Sequence, residues 1–462
     1  MSRRLTVFSF VSRKFLPACA VAAAFAAGAA GAATLEEAVA AAVGAHPKVR
    51  AVEASKRAAE EDVWDARSAF FPTVDLRVQT GTERVNNSLT RGRATRGNTP
   101  LLSPSGGKSA VNAWHKEEEL IVTQMLFDGF DAWNRTEAAQ KRARVAGYDL
   151  FDAREVIGLR AIQAYLQVVR NRTLLSFADE NVEKHQEIYQ RVKRKEKAGG
   201  ANGAALYQSE SRLALALARQ VQFRGDVRDS ESDYMEAVGS APDELEMPGI
   251  PASGLPANIE DALKAAVEGN PGLSASTETV KANKADLRSA ESPFYPNLNI
   301  EVTQNRSEDT GGVRGPSMEF KALAVMRYNL FQGGQDLARR KRAVELVSQA
   351  TQLEAEKRRL VEEQMRLDFN AMLVASERLP ILERRVLASS KALRTYHQQF
   401  DIGRRTLLDL LDVENELFQT KVDMVDGELQ RMFALYRVLA TMGQLLATLG
   451  TDVSVETETP VK

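Results

Sequence analysis

The sequence predicts a mainly α-helical chain made of two tandem repeats, each carrying one β-hairpin among its helices. Three observations predict it. An export leader is followed by no membrane-spanning helix, an internal repeat runs at a nearly constant offset, and the hydrophobic pattern changes period three times within each copy.

Arg3, Arg4, Arg13 and Lys14 lead into an uncharged run from Phe15 to Ala33 that closes on Ala29-Ala30-Gly31-Ala32-Ala33. This is the organisation of a secretory signal peptide, assigned to residues 1–33, with cleavage near Ala33 or Thr34. Its removal takes away Cys19, the single cysteine, and four positive charges with no acid, moving the formal charge from −1 to −5. Disulfide and thiol chemistry are therefore not expected, and neither is nucleic-acid binding. Leu16-Pro17-Ala18-Cys19 has the look of a lipoprotein box, but the long apolar run follows the cysteine instead of preceding it, so lipidation is not expected. Past the leader no run of 18 apolar residues exists, so any membrane crossing has to be made by strands.

Ala45-His46-Pro47 matches Gly269-Asn270-Pro271, and Ala69-Phe70-Phe71-Pro72 matches Pro293-Phe294-Tyr295-Pro296, both at an offset of 224. Leu126-Phe127-Asp128-Gly129 then matches Leu330-Phe331-Gln332-Gly333 at 204, an offset kept by Gly199 and Gly403, Glu210 and Glu414, and Gly239 and Gly443. The first copy thus carries 20 extra residues between 81 and 121, and insertions of this kind belong in loops. The resulting division is 34–242 for the first repeat, 243–258 for a proline-rich linker, 259–450 for the second repeat and 451–462 for a disordered tail.

Within the copies, Thr34–Ser68 and Ile259–Glu291 read as short helices. Val74, Leu76 and Val78 alternate with Asp75, Arg77 and Gln79, as Leu298, Ile300 and Val302 do with Asn297, Asn299 and Glu301, so each run is one half-buried strand. The return strands are placed at Glu119–Phe127 and Phe320–Phe331, with an exposed polar loop, Gly81–Glu118, in the first copy. Long helical tracts follow, Ala132 to about Lys197 and Gln335 to about Phe400, each about 100 Å at the helical rise. Pro380 predicts a kink in the second. Turns at Ala198–Ala204 and Asp401–Arg405 lead to return helices, and Phe418, Val422, Val425, Leu429, Met432, Tyr436, Leu439, Gly443 and Leu446 form a coiled-coil seam in the last of them.

Two hairpins supply four strands, too few to close a barrel, and an open edge in lipid leaves backbone groups unpaired at several kcal/mol each. If the strands span a membrane, several copies must pool them, and a bore wide enough to be useful favours three copies over two.

The segment Gln399-Phe400-Asp401-Ile402-Gly403-Arg404-Arg405-Thr406-Leu407-Leu408-Asp409-Leu410-Leu411-Asp412-Val413-Glu414-Asn415-Glu416-Leu417-Phe418 resembles the second helical turn of TolC-family outer-membrane factors, above all those serving type I secretion. The duplicated plan of helix, hairpin, long helix and return helix is similar to the same family over nearly the whole mature chain. The resemblance implies a homotrimer with a 12-stranded β-barrel in outer-membrane lipid and an α-helical barrel in the periplasm. It implies partners as well, a periplasmic adaptor and an inner-membrane ABC transporter or other pump. Asp409 and Asp412 match the pair that lines the periplasmic constriction, where crowding of like charges is expected to raise their pKa values. Arg405 matches a latch of the closed state. Because Ala205 stands where the first tip would carry the acid equivalent to Asp409, its partner is sought at Glu196 or Glu210. The adaptor is expected at the two tips, Gly199 and Gly200 on the first and Gly403, Arg404, Leu407 and Leu408 on the second. The glycine-rich first tip departs from the family, in which it is shaped like the second.

No catalytic, cofactor or metal site is expected. Gly106-Gly107-Lys108-Ser109 ends like a phosphate-binding loop, but Leu102 replaces the required glycine and no strand and helix flank it. His46, His115, His185 and His397 lack the spacing of metal ligands and read as solvated or capping residues. Arg339-Arg340-Lys341-Arg342 reads as a solvated face, with contact to inner-leaflet headgroups as the functional alternative. The expected function is a passive duct for type I secretion of a protein such as an adhesin or toxin. Multidrug or small-molecule efflux is the alternative on the same fold, and a periplasmic coiled-coil structural or adaptor protein is the rival of another class. A hydrolase has only scattered polar residues behind it.

Overall fold

The computed structural model describes residues 34–86, 110–198, 202–250, 254–312 and 315–451. The leader, Gly106–Ser109, the Gly199-Gly200 turn and the tail from 452 lie outside the described residues. Each repeat begins with two short helices, α1 (Leu35–Ala45) and α2 (Pro47–Ser68) in the first, α5 (Ile259–Gly269) and α6 (Pro271–Ser289) in the second. The matched Pro residues stand at the first helical position, where their missing N–H is no loss. The preceding residues act as caps: His46 Nδ1 accepts from the Lys48 N–H and Asn270 Oδ1 from the Leu273 N–H, each at 3.1 Å.

Strands β1 (Thr73–Val85), β2 (Val111–Phe127), β3 (Asn297–Glu308) and β4 (Pro316–Arg327) form one antiparallel sheet in the order β1-β2-β3-β4. The hairpins of the two repeats therefore join through β2 and β3, with Val122 opposite Val302 and a bulge between Met125 and Phe127. The first hairpin is longer than the sequence pattern indicates. Residues 81–85 and 111–118, assigned to the loop, continue the ladder, with Gly81 opposite His115 and Glu83 opposite Ala113. Beyond Val78 polar residues fall on both faces, with apolar ones such as Trp114 and Val85 only scattered among them, which removes the alternation that marks a strand without removing the backbone bonds that make one. The second return strand ends at Arg327, not Phe331, and Leu330 and Phe331 stand free at 85% and 83% exposure.

Long helices α3 (Asp131–Lys197) and α7 (Gln335–Asp401) are each 67 residues, about 100 Å long. They pair with the return helices α4 (Gly203–Val238) and α8 (Leu407–Thr441), and α7 continues through Pro380. The seam of α8 buries Phe418, Val425, Leu429, Met432, Tyr436 and Leu439, but the helix stops at Thr441, before Gly443 and Leu446. Gly443 adopts φ +67° and its N–H bonds the Ala440 carbonyl while the Gln444 N–H bonds that of Leu439, a Schellman end that reverses the chain into α9 (Leu445–Thr448). A Cβ on Gly443 would lie 2.5 Å from the Gly269 carbonyl oxygen, so the end of α5 and the turn after α8, both in the second repeat, touch backbone to backbone.

The main core forms where the short helices girdle the long ones. Leu35 and Val39, Ile157, Ile162 and Tyr165, Met365 and Phe369, and Val438 and Leu439 meet there. Tyr165 donates to the Glu246 carbonyl at 2.8 Å, fastening the linker to this core. Glu155 is buried at 3% exposure and accepts from the Leu445 and Leu446 N–H groups at 3.3 and 3.2 Å, which holds α9 against α3. Desolvation pushes its pKa up to about 7, only partly offset by those two donors.

Candidate functional site

At the far end from the sheet, α7 closes with the Gly403 N–H on the Phe400 carbonyl and the Arg404 N–H on that of Gln399. Gly403 takes φ +74°, which a side chain would disfavour, and the chain turns at once into α8. There Thr406 and Asp409 make a capping box: the Asp409 N–H donates to Thr406 Oγ1 at 3.3 Å, and the Thr406 N–H and hydroxyl donate to Asp409 Oδ2 at 3.0 and 2.9 Å. The second tip is thus fixed by its own backbone.

Leu410 and Leu411 are fully buried with Ile188 and Val192 of α3, flanked by Leu407, Tyr396 and Phe400. Around this plug the hairpins are tied by polar contacts: Arg191 to Asp401 at 3.1 Å, Arg212 to Asp412 at 2.7 Å, and Arg219 to Asn415 at 2.8 Å. Leu408 remains 42% exposed and Arg404 points to solvent, so part of the predicted docking surface is free while Leu407 belongs to the plug.

Asp409 and Asp412 sit three apart on α8 but have different partners, the helix cap and Arg212. The Thr406 N–H, then its hydroxyl, with Arg405 nearby, hold the Asp409 carboxyl below its ordinary pKa in the single chain, the opposite direction from like-charge crowding. Arg405 turns back on its own hairpin, donating to Gln399 at 3.0 Å and stacking over Tyr396 at 4.5 Å, without Glu196 or Glu210.

The histidines differ from the reading of four solvated or capping residues. His46 is a cap, but His185 is buried at 4% and His397 lies 2.9 Å from Glu414. Burial, then the charges of Arg212 and Arg219, lower the His185 pKa. A signal for it was present: Asn171, Leu174, Ala178, Asn181, His185, Ile188 and Val192 repeat at steps of three and four, all buried. Among the described residues no group of three or more acidic, histidine or cysteine side chains is arranged to hold a metal.

The sheet supplies the other half of the site. Register places Val74, Leu76, Val78, Leu120, Val122, Leu298, Ile300, Val302, Phe320 and Met326 on one face, and Leu76 and Val78 are 70% and 64% exposed there. The opposite face carries Asp75, Arg77, Glu117, Glu119, Glu301, Asn305 and Lys321, cross-linked by Arg77 to Glu119 at 3.5 Å and Arg327 to Glu301 at 2.7 Å. One apolar and one charged face is the division of a barrel strip between lipid and a wet lumen.

A family model described as outer membrane efflux protein matches residues 38–240 and 262–444, nearly all of both repeats. The chain belongs to the outer membrane efflux protein family. This chain is 24% identical to the outer membrane efflux protein BepC of Brucella suis over 85% of its length and 82% of the relative. It is 23% identical to the outer membrane protein TolC of Vibrio cholerae over 86% and 88%. Among solved structures, the outer-membrane channel OprN superposes with a TM-score of 0.74 at 19% identity, over 89% of this chain and 90% of that one. The open-state MtrE channel of Neisseria gonorrhoeae superposes at 0.72 with 16% identity, over 89% of each. The chain is accordingly an outer-membrane efflux or secretion channel of the TolC family, a passive duct with its helical part in the periplasm.

Proposed function

We propose that the chain is a homotrimeric duct for type I secretion, delivering a protein such as a toxin or adhesin that an inner-membrane ABC transporter passes on through a periplasmic adaptor. The observation that carries the assembly is a pair of unfilled edges. β1 and β4 end the sheet, and Leu346, Leu353, Leu360, Leu367, Val374 and Ile381 recur every seven residues along α7, all 40–57% exposed. A heptad stripe of this kind takes another helix, and three copies supply twelve strands. Support for secretion comes from the Gln399–Phe418 tip and from two relatives, the proteases secretion protein PrtF of Dickeya chrysanthemi and the alkaline protease secretion protein AprF of Pseudomonas aeruginosa, each 20% identical.

In this reading Asp409 and Asp412 ring the periplasmic entrance, Arg405 helps latch it, and the tips, with Gly199, Gly200, Gly403, Arg404, Leu407 and Leu408, receive the adaptor. Efflux is the second reading, favoured by the similarity to BepC. Deleting the gene separates the two. Loss of a protein from the culture medium with unchanged drug susceptibility is the expected result, whereas drug hypersensitivity with an unaltered set of secreted proteins assigns the duct to efflux. A monomeric mass for the detergent-solubilised protein overturns the trimer.

A further inference from the structure

On the periplasmic side of the sheet, α2 and α3 enclose a groove of about 630 Å³ that the secretion reading does not use. Trp64, Phe70, Phe71 and Trp133 line it, with Arg67 among them. All four aromatic side chains are exposed, Phe71 at 63% and Trp133 at 66%.

Three contacts fix the side of the sheet to which it belongs. Gln124, which shares the apolar face with Val122 and Ile300, donates from Nε2 to the Phe70 carbonyl at 3.1 Å. Phe127, opposite Leu298 near that face, meets Phe130 edge-on with ring centres 5.2 Å apart, and Phe130 meets Tyr295 at 6.4 Å. Trp133 follows Phe130 by one helical turn. The groove therefore lies just beneath the lipid-facing band, at the aromatic level where headgroups meet acyl chains. Trp64 is four residues before Ser68, where α2 ends, and so lies about 6 Å further along the helix toward the periplasm, at headgroup depth.

We infer that this groove holds one phospholipid of the periplasmic leaflet, its phosphate on Arg67 and the start of an acyl chain against Trp64, Phe70, Phe71 and Trp133. The lining carries one carboxylate, Glu137, which Arg288 neutralises at 2.7 Å, and one cation, Arg67, whose charge is complementary to phosphate. The Arg67 guanidinium stacks over Trp64 at 5.4 Å and has no carboxylate partner among the described residues. Stacking leaves its edge donors free, and that fork matches two phosphate oxygens. The volume is in the range of pockets that hold small organic ligands. A lipid seated there would anchor the top of the helical part to the membrane.

The chain has three tryptophans, so a Trp114→Phe background leaves only Trp64 and Trp133 to emit. The full-length protein in non-ionic detergent is titrated with a phosphatidylethanolamine brominated on its acyl chains, which quenches tryptophan on contact. The expected result is saturable quenching near one lipid per chain. Arg67→Gln raises the half-saturating concentration roughly tenfold, the loss of one charge-assisted pair, and Arg67→Lys recovers part of it. Quenching that grows without saturation is bulk partition and overturns the site. Absence of quenching with blue-shifted emission, the sign of a neighbouring copy seated in the groove, also overturns it, as does identical titration of wild type and Arg67→Gln.

Discussion

The Arg212 guanidinium donates to the Asp412 carboxylate at 2.7 Å, tying the first return helix to the second within three turns of the tip. Both groups are a third or more exposed, so the pair contributes less than about 1 kcal/mol to stability. Its effect is geometric, since it holds two helical hairpins in one relative position. Arg212→Ala is expected to leave the thermal midpoint nearly unchanged and to raise the conductance of the reconstituted channel. Conductance equal to wild type removes the pair from gating.

Glu155 supplies a pH dependence. Its pKa is raised to about 7 from 4.5, so the fold prefers the protonated acid. The contribution is therefore most favourable below pH 4.5 and is lost as the pH rises through 7, by roughly 3 kcal/mol per chain at most. Chemical denaturation of Glu155→Gln, which cannot ionise, should show less loss of stability between pH 5 and pH 8 than wild type. Parallel pH profiles would mean that Glu155 stays charged in the core.

The two faces of the sheet predict opposite tolerance. Leu76→Arg or Ile300→Arg puts a cation on the apolar face, at roughly 2 to 4 kcal/mol near the bilayer midplane. Thr303→Arg places the same side chain on the polar face, opposite Lys321, and is expected to be much milder. The yield of folded protein in outer-membrane fractions reads the difference. Equal yields for all three variants would show that the apolar face does not meet lipid.

The sequence marks helices more sharply than strands for a physical reason. The ends of both 67-residue helices fall within one residue of the pattern because Gly129, Gly334 and Gly403 and the Thr406 cap stop or start them locally. The strand segments 81–85 and 111–118 are held by backbone bonds to each other, and Thr80, Thr82, Glu83, Lys116 and Glu118 give no period of two in hydrophobicity. Pairing of β2 with β3 is a contact between repeats, invisible to an offset that only relates one repeat to the other. Arg405 and Asp409 were legible as a position through the family resemblance. Their bonds to Gln399 and Thr406 depend on side-chain placement at a tight turn, which spacing does not determine.

The α7 stripe predicts how assembly fails. Leu360 and Leu367 are 53% and 56% exposed on the single chain, and each buried leucine contributes roughly 1.5 to 3 kcal/mol. Leu360→Asp with Leu367→Asp is expected to abolish the oligomer while circular dichroism keeps its helical signal, because neither side chain belongs to the core of its own chain. Light scattering in detergent that still reports three copies would place the interface elsewhere.

The aspartates proposed for the entrance give the most specific test, since in the proposed trimer two forces on Asp409 act in opposite directions. Six carboxylates around its threefold axis would repel one another and favour protonation. The Thr406 N–H and hydroxyl, bonded to the Asp409 carboxylate, favour the charged form and hold its pKa below the ordinary aspartate value in the single chain. A depressed pKa means that the charge survives as the pH falls, so cation preference set by Asp409 should be the same at pH 7 and pH 5. Replacing both residues, as Asp409→Asn with Asp412→Asn, keeps an oxygen for the Thr406 donors and removes the charge. Reversal potentials in a salt gradient are expected to show the cation preference of wild type at both pH values and its loss in the double variant. A wild-type preference that declines between pH 7 and pH 5 would mean that crowding outweighs the cap, and an unchanged double variant would remove the ring from ion selection altogether.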